Sequence, residues 1–259
     1  MVLAGKVSLI TGGGTGIGRE IARTLAMNGA DVAVCGPQIE ELELVCNEVR
    51  ALGRRSLALV ADVSSEEDVW RTVAACVQEL GGLDVLVNNA SVVGQVAPVS
   101  ELDLTSWERV LAVNLTGAML CSREAVRHMA ERGGGSIVNI SSNVARRGVA
   151  NRAPYVCSKW ALNGLTQTLA LEVAEHNIRV NAVCPGPVMT ERLDGAMKLM
   201  AHERGMTFET LRAEWEAESP MKRFATAEEC ANVVLFLASD TSSGMTGQAL
   251  NVTAGMLMT

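Results

Sequence analysis

The sequence has no long hydrophobic run, no excess of positive charge and no secretory leader pattern. No stretch of about 18 apolar residues occurs, so no segment is expected to span a bilayer. The formal net charge of −7 is unfavourable for contact with nucleic acid or with an anionic membrane surface. The start, MVLAGKVSLITGGG, lacks the basic region, apolar stretch and cleavage site of a signal peptide, so none is expected.

The sequence also lacks a cysteine framework and a set of histidines with metal-ligand spacing. Its seven cysteines are scattered singly, without a CxxC pair, which favours a reducing compartment and predicts a cytoplasmic protein. The three histidines, His128, His176 and His202, share no spacing typical of a metal site. We therefore expect no metal.

What the sequence does contain is a regular alternation of short β-branched runs and helical patterns. The apolar runs are nearly continuous, as in strands that are covered on both faces. They lie at 7–11, 31–35, 56–60, 83–87, 136–140, 178–183 and 248–252, with helical patterns near 17–28, 38–52, 65–80, 104–132, 153–176 and 226–238. This rhythm predicts an α/β protein with a doubly wound parallel sheet of seven strands, helices on both faces and a single domain over 1–259.

One region interrupts the alternation. Residues 189–221 contain two short helical patterns where the rhythm requires a single crossover. An insertion after the carboxyl end of a strand often covers a ligand crevice, so a substrate lid is one interpretation. A purely structural helical pair is the other.

The first predicted strand ends in a glycine-rich turn, TGGGTGIG at 11–18, and a helical pattern begins at once. Glycines allow close approach of the backbone, and a helix N-terminus offers free N–H groups to a phosphate. The spacing of Gly12, Gly16 and Gly18 is GxxxGxG rather than GxGxxG, and no Lys-Ser/Thr pair follows, which excludes a Walker A loop. A tight structural turn is the alternative to a diphosphate site.

The stretch YVCSK places Tyr155 and Lys159 one helical turn apart, on the same face of an apolar segment. Taken alone, the pair is compatible with a tyrosine packed against the stem of a surface lysine. An ammonium close to a phenol also favours the phenolate and would lower the pKa of the tyrosine, which makes it a better base.

Together, TGGGTGIG at 11–18, NNA at 88–90, Asn114, Ser142 and the Tyr155-x-x-x-Lys159 motif resemble the short-chain dehydrogenase/reductase family. The resemblance extends from GKVSLITGG to TGQALNVTAG and implies a Rossmann-type fold, an NAD(P) cofactor and a ketone or secondary-alcohol substrate. It implies that Tyr155 is the general acid/base and that Lys159 assists it and binds the nicotinamide ribose. It also implies that Ser142, rather than Ser141, bonds to the substrate oxygen, and that Asn114 holds water behind Lys159.

The same resemblance implies a set of cofactor and substrate contacts. The predicted cofactor contacts, beyond Tyr155 and Lys159, are Gly12, Thr15, Gly16, Ile17, Gly18, Asp62, Val63, Asn88, Asn89, Ala90, Pro185, Gly186, Val188 and Thr190. The predicted substrate contacts are Ser142, Val144, Tyr155 and Met189, with Val92, Val93, Gln95 and further methionines of 189–221 as candidate walls. Methionines at helical spacing are more often plain core. Arg146, Arg147 and Arg152 could bind a carboxylate or phosphate, although solvated surface is the more common role of such arginines.

The second strand ends in VAVCGPQ, which carries neither of the family's usual cofactor signatures. Members that prefer NAD commonly have an acidic residue at Gly36, and those that prefer NADP often have arginine at Pro37 or a basic residue at Thr15. An uncompensated phosphate in a partly buried pocket is costly, which favours NAD slightly.

The family resemblance also implies a homotetramer that packs through the helices near 104–132 and 153–176 and through the segment 244–259. Two other functions remain open: an epimerase, dehydratase or enoyl reductase on the same scaffold, or a silent protein that binds the nicotinamide cofactor.

Overall fold

The computed structural model describes residues 1–258, which form one seven-stranded parallel sheet in the order β3-β2-β1-β4-β5-β6-β7. The strands are β1 Val7–Thr11, β2 Asp31–Gly36, β3 Ser56–Val60, β4 Val85–Asn88, β5 Gly135–Ile140, β6 Ile178–Pro185 and β7 Ala249–Val252. All neighbouring strands are parallel. The predicted fold class is confirmed, and β4 begins two residues later than its apolar run.

Within residues 1–258, nine α-helices connect or follow these strands. They are α1 Gly16–Met27, α2 Ile39–Ala51, α3 Glu66–Leu80, α4 Leu104–Leu111, α5 Gly117–Glu131, α6 Ala153–Val173, α7 Glu191–Glu203, α8 Phe208–Ala217 and α9 Ala227–Ala238. A π-helical segment, Ala112–Thr116, joins α4 to α5, so the single long helix expected at 104–132 is interrupted. Among the described residues, no helix is long and apolar enough to cross a membrane.

The core has two layers, one on each face of the sheet. On one face α1, α2 and α9 bury side chains such as Ile21, Val45 and Val234 against the strands. On the other face α3, α5 and α6 bury side chains such as Val73 and Ala125. Strands covered on both faces have no need of polar alternation, which explains their continuous apolar runs.

The strand order reverses between β1 and β4, where consecutive connections leave the sheet on opposite faces. Ligands of open α/β sheets bind at such a point, outside the carboxyl ends of the strands. The loops that follow β1, β4, β5 and β6 all begin at this edge of the sheet. These loops carry the motifs found in the sequence.

The insertion at 189–221 forms the helical pair α7 and α8, which has a small core of its own. Met197 and Leu211 are fully buried there, and Met189, Met200 and Met206 pack against that core. For Met197 this answers the question left open by the sequence: it is core, and not a wall of a cavity.

Candidate active site

The glycine-rich loop leaves β1 and enters α1 in a conformation that requires glycine. Gly12 and Gly16 have φ values of +61° and +53°, in the left-handed region. A Cβ on Gly12 would lie 2.9 Å from Ala90 Cα, and a Cβ on Gly18 would lie 2.2 Å from the Gly12 carbonyl oxygen. The loop backbone is therefore packed tightly between α1 and the end of β4. The first N–H groups of α1 have no partner within the helix, as at any helix start.

Asn89 holds this loop in place. Its Nδ2 donates to the carbonyl oxygens of Thr11 and Gly12, at 2.9 and 2.8 Å. The Thr11 hydroxyl in turn accepts from the backbone N–H groups of Asn89 and Ala90, both at 3.0 Å. The NNA motif thus ties the carboxyl ends of β1 and β4 together.

Asn88 does not face the crevice, contrary to the sequence expectation. Its Nδ2 donates to Asn139 Oδ1 at 2.8 Å and to Ser122 Oγ at 3.0 Å, inside the core between β4, β5 and α5. Successive side chains of a strand point to opposite faces, so the first asparagine of NNA is structural and only the second reaches the loop.

Tyr155, Ser142 and Lys159 converge at the ends of β5 and α6. The Ser142 hydroxyl lies close enough to the Tyr155 phenol to favour the phenolate, and it donates to Asn143 Oδ1 at 3.2 Å. Lys159 is only 2% exposed, its Nζ donates to the Ile140 carbonyl oxygen at 2.8 Å, and it lies 5.6 Å from the centroid of the Tyr155 ring. Ser141 has a different partner, because its hydroxyl donates to the Lys159 carbonyl oxygen at 3.2 Å and so anchors α6 to β5.

Burial dominates the protonation of this pair. It raises the pKa of the Tyr155 phenol, although the charge of Arg192, the nearby Ser142 hydroxyl and the charge of Arg152 oppose the shift. It also lowers the pKa of Lys159 to about 7, with a further lowering by the charge of Arg192. The direction for Tyr155 is opposite to the sequence expectation, because burial of the phenol disfavours the phenolate and outweighs the neighbouring charges.

Asn114 lies in the π-helical segment, and both polar atoms of its side-chain amide are hydrogen-bonded. Its Nδ2 donates to Ser158 Oγ at 3.0 Å and to the Val92 carbonyl oxygen at 2.9 Å, while its Oδ1 accepts from the Val92 N–H at 2.8 Å. Ser158 lies between Tyr155 and Lys159 in α6 and donates to the Tyr155 carbonyl oxygen. The asparagine side chain therefore fixes α6 relative to the loop after β4, and the water-holding role remains a prediction.

Asp62 and Val63 follow β3 as expected, but the Asp62 carboxylate already has partners. It accepts from Ser64 and, at 2.9 Å, from Arg109. Burial alone would raise the pKa of Asp62, yet these hydrogen bonds outweigh it and the pKa is lowered. Val63 is buried against Gly117, where α5 begins.

The loop after β6 reaches the glycine loop from the opposite side of the crevice. Pro185 is the last residue of β6, and the Gly186 N–H donates to the Val252 carbonyl oxygen. Val188 is buried. Thr190 caps α7, and its methyl carbon lies 3.3 Å from where a Cβ of Gly16 would be. Around the glycine loop, Thr15 is exposed and Ile17 packs on the core.

The predicted substrate walls are brought together only in part. Val144 follows Ser142 and is half-buried, and Met189 precedes Thr190 but packs into the core of the α7–α8 pair. Gln95 is used structurally, since it donates to the Glu101 carbonyl oxygen and accepts from the Asp103 N–H.

Two residues at the crevice were missed by sequence reasoning. Glu41 of α2 lines a cavity of about 260 Å³ beside the glycine loop, together with Gly36 and Pro37. Arg192 of α7 donates to the Ser91 carbonyl oxygen at 3.1 Å, across the crevice. The available signal was position alone: Glu41 lies about one helical turn beyond Pro37, and Arg192 follows Thr190 by two residues.

A nicotinamide dinucleotide fits these residues. The glycine loop offers backbone N–H groups where side chains are excluded. The buried Lys159 ammonium has one hydrogen-bond partner among residues 1–258, which leaves donors for the hydroxyls of a ribose. The Ser91 hydroxyl at the same crevice is buried and has no partner in that part of the chain.

Comparison with known proteins gives matches along nearly the whole chain. A family model described as enoyl-(acyl carrier protein) reductase matches residues 12–257. The chain is similar to the short chain dehydrogenase/reductase astE of Aspergillus oryzae, at 40% identity over 98% of this chain and 95% of that protein. It is also similar to cis-4-hydroxycyclohexanecarboxylate dehydrogenase of Sinomonas cyclohexanicum, at 38% identity over 97% of this chain and 96% of that protein.

Solved structures agree with these matches. NAD⁺-bound xylitol dehydrogenase has a TM-score of 0.93 at 36% identity and covers 98% of this chain and 100% of that one. An actinorhodin polyketide ketoreductase variant with NADPH has a TM-score of 0.92 at 37% identity and covers 97% of both chains.

Proposed function

The chain belongs to the short-chain dehydrogenase/reductase family and is an NAD(P)-dependent oxidoreductase, and we propose that Tyr155 is the general acid/base of its hydride transfer. The substrate couple is a carbonyl and a secondary alcohol. The observation that supports this role is the convergence of three groups: the Tyr155 phenol, the nearby Ser142 hydroxyl, and the buried Lys159 ammonium 5.6 Å from the centre of the Tyr155 ring.

The protonation state of Tyr155 suits the direction of carbonyl reduction at neutral pH. Because burial raises its pKa, the phenol is neutral there and can donate its proton to the carbonyl oxygen of the substrate. The Ser142 hydroxyl can donate a second hydrogen bond to the same oxygen. In alcohol oxidation the same two groups act in reverse, and Lys159, with a pKa of about 7, can exchange a proton with solvent near neutrality.

The nicotinamide, when bound, supplies or accepts the hydride. Gly12, Thr15, Gly16, Ile17 and Gly18 would hold the diphosphate at the start of α1. Lys159 would bind the nicotinamide ribose, and the residues Pro185, Gly186, Val188 and Thr190 would line the nicotinamide. Asp62, Val63, Asn89 and Ala90 would lie along the adenosine.

We place the substrate between Ser142, Tyr155 and Val144, with the α7–α8 pair as a lid. The Sinomonas cyclohexanicum relative is named for cis-4-hydroxycyclohexanecarboxylate, so 4-oxocyclohexanecarboxylate is a rational first probe. The matching family model is described as enoyl-(acyl carrier protein) reductase, so an enoyl thioester is the rational second probe. A Ser142–Tyr155 pair directed at one oxygen favours the ketone.

The experiment that tests the function follows nicotinamide absorbance with NADH and NADPH. The substrates are 4-oxocyclohexanecarboxylate, its methyl ester and crotonyl coenzyme A. Reduction of either ketone supports the proposal, and reduction of crotonyl coenzyme A alone identifies an enoyl reductase. Tight binding of NADH without any turnover identifies a silent cofactor-binding protein.

We further propose that the preferred cofactor is NAD, and that Glu41 enforces the preference. The adenosine end of the crevice is the 260 Å³ cavity lined by Gly12, Gly14, Thr15, Gly36, Pro37, Gln38, Glu41 and Leu42, with no cation among them. Glu41 Oε2 lies 3.4 Å from where a Cβ of Gly14 would be. A carboxylate in that place can accept a bond from a ribose hydroxyl and repels a 2′-phosphate.

In direct titrations that follow energy transfer from tryptophan, NADH should bind at least about tenfold more tightly than NADPH. Glu41→Gln should narrow this ratio by about tenfold, because the repelling charge is lost. Glu40→Gln is the matched control: Glu40 is exposed and lies in the same first turn of α2, so it has a similar effect on the helix dipole. The assignment would be refuted if the wild type preferred NADPH, or if the ratio of the two dissociation constants changed equally in Glu41→Gln and Glu40→Gln.

We also propose a homotetramer in the cytoplasm. Helix α6 is apolar around most of its circumference, yet Trp160 and Leu171 are 51% and 84% exposed in the single chain. Exposed apolar groups on one helix face are typical of a protein interface. All seven cysteines are free and six of them are buried, as expected for a reducing compartment. Sedimentation at micromolar concentration should give a tetramer, and a monomer would contradict the assembly.

A further inference from the structure

The arginines of this chain fall into two groups. Twelve of the 18 form an ion pair with a carboxylate. Of the six that have no carboxylate partner in residues 1–258, four follow β5 or β6 at the edge of the sheet where Tyr155 lies: Arg146, Arg147, Arg152 and Arg192. A protein of net charge −7 therefore keeps a set of uncompensated cations beside its catalytic residues.

Arg192 reaches over the crevice from the first turn of α7. Its Nη1 donates to the Ser91 carbonyl oxygen at 3.1 Å, directly after the NNA motif. A backbone carbonyl satisfies only one of the five N–H donors of a guanidinium and does not neutralise its charge. That charge acts on both Tyr155 and Lys159 and lowers the pKa of each.

Arg152 lies at the start of α6, the helix of Tyr155, whereas Arg192 belongs to α7. Arg152 is the residue that precedes α6, three positions before the tyrosine, and it is half-buried. Its guanidinium has no hydrogen-bond partner in the described part of the chain, and its charge also lowers the pKa of Tyr155. Arg146 differs, since it donates to the Ala249 carbonyl oxygen, and Arg147 is exposed.

Arg152, at the start of α6, and Arg192, in the first turn of α7, are thus both near enough to act on the phenol, and neither has a carboxylate partner in residues 1–258. A ligand that brings an anionic group to this place would gain charge-assisted hydrogen bonds from guanidinium groups that have free donors. The carbonyl oxygen of the same ligand would be held by Ser142 and Tyr155. Both requirements are met by one molecule that carries an oxo group and a carboxylate.

We propose that the substrate is an oxo acid or the corresponding hydroxy acid, and that Arg192 and Arg152 bind its carboxylate. This inference rests on the proposed function and specifies the substrate class of the same site. The cofactor diphosphate offers the same anionic chemistry, so the experiment must separate a carboxylate of the substrate from a phosphate of the cofactor.

The test compares 4-oxocyclohexanecarboxylate with its methyl ester in the wild type and in three variants. Arg192→Met and Arg152→Met should each lower kcat/KM for the acid by about 10- to 100-fold, mainly through KM. The value for the ester should fall at least about tenfold less, and through kcat, because the lost charge also changes the pKa of Tyr155. Arg204→Met is the matched control, because Arg204 is an exposed arginine at the opposite end of α7 and has no carboxylate partner in the described part of the chain. It should behave as wild type with both substrates.

Two binding measurements separate the possible sources of failure. The dissociation constant of NADH should be unchanged in Arg192→Met. If NADH instead binds more weakly and kcat/KM falls equally for acid and ester, Arg192 binds the cofactor diphosphate and the proposal is overturned. Calorimetric binding of unreactive cyclohexanecarboxylate to the NADH complex should depend on both arginines even if no ketone is reduced. Such binding would preserve the anion site while the proposed reaction fails.

Turnover of the ester with no preference for the acid would have the opposite meaning. The oxidoreductase function would stand, and the anion site would be refuted.

Discussion

Tyr155→Phe is expected to lower kcat for ketone reduction by about 10²- to 10⁴-fold. The substitution removes only the hydroxyl that donates the proton, while the ring that lies over Lys159 is retained. Binding of NADH should therefore stay within about twofold of the wild type. Steady-state kinetics and a tryptophan energy-transfer titration, carried out on the same preparations, measure the two effects.

The control for this prediction uses the fact that Tyr155 is the only tyrosine in the chain. The near-ultraviolet absorbance change of a phenolate therefore reports this residue alone, and it should vanish in Tyr155→Phe. In the wild type the ionisation should occur above the ordinary pKa of a free tyrosine, because burial raises the pKa. Retention of full activity by Tyr155→Phe would exclude the assigned mechanism, and ionisation below the ordinary value would show that the effect of Lys159 outweighs burial.

Gly18→Ala is expected to abolish cofactor binding, with an increase in the dissociation constant of NADH of at least about 100-fold, equivalent to about 2.7 kcal/mol. The added Cβ would lie 2.2 Å from the Gly12 carbonyl oxygen and 2.5 Å from Asn89 Nδ2. Neither atom is the end of a flexible side chain, because the first is backbone and the second is fixed by its bonds to Thr11 and Gly12. The loop must therefore move, and overpacking of this kind also lowers the free energy of unfolding by about 1 to 3 kcal/mol.

Gly195→Ala provides the comparison. Gly195 also lies inside a helix, but a Cβ there would meet no atom within 4 Å. Replacing it should raise the free energy of unfolding by up to about 1 kcal/mol and leave NADH binding unchanged. Circular dichroism separates loss of binding from loss of folding, and a Gly18→Ala variant that binds NADH as tightly as wild type would show that the loop does not hold the cofactor.

The fold and the placement of the motifs could be predicted from the sequence because they depend on local and repetitive signals. Continuous apolar runs specify strands covered on both faces, and their alternation with helical patterns specifies a parallel sheet. A parallel sheet brings the ends of β1, β4, β5 and β6 to one edge. This arrangement places four features close together: the glycine loop, the NNA motif, Ser142 and the loop after Pro185. The spacing of four residues places Tyr155 and Lys159 on the same face of α6.

The tertiary structure decided the properties that depend on contacts between distant residues. The pattern NNA does not say that Asn88 bonds to Asn139 in the core while Asn89 holds the glycine loop. The spacing of Tyr155 and Lys159 does not say how deeply both are buried, and burial reverses the expected direction of the tyrosine pKa.

The same holds for charge at the crevice. Glu41 and Arg192 reach it from helices α2 and α7, which no local motif aligns with the glycine loop or with Ser91. The sequence by itself determined which backbone would form and where its strand ends would meet. Desolvation, side-chain direction and the absence of a counter-ion are properties of the packed surroundings, and only the folded chain determines them.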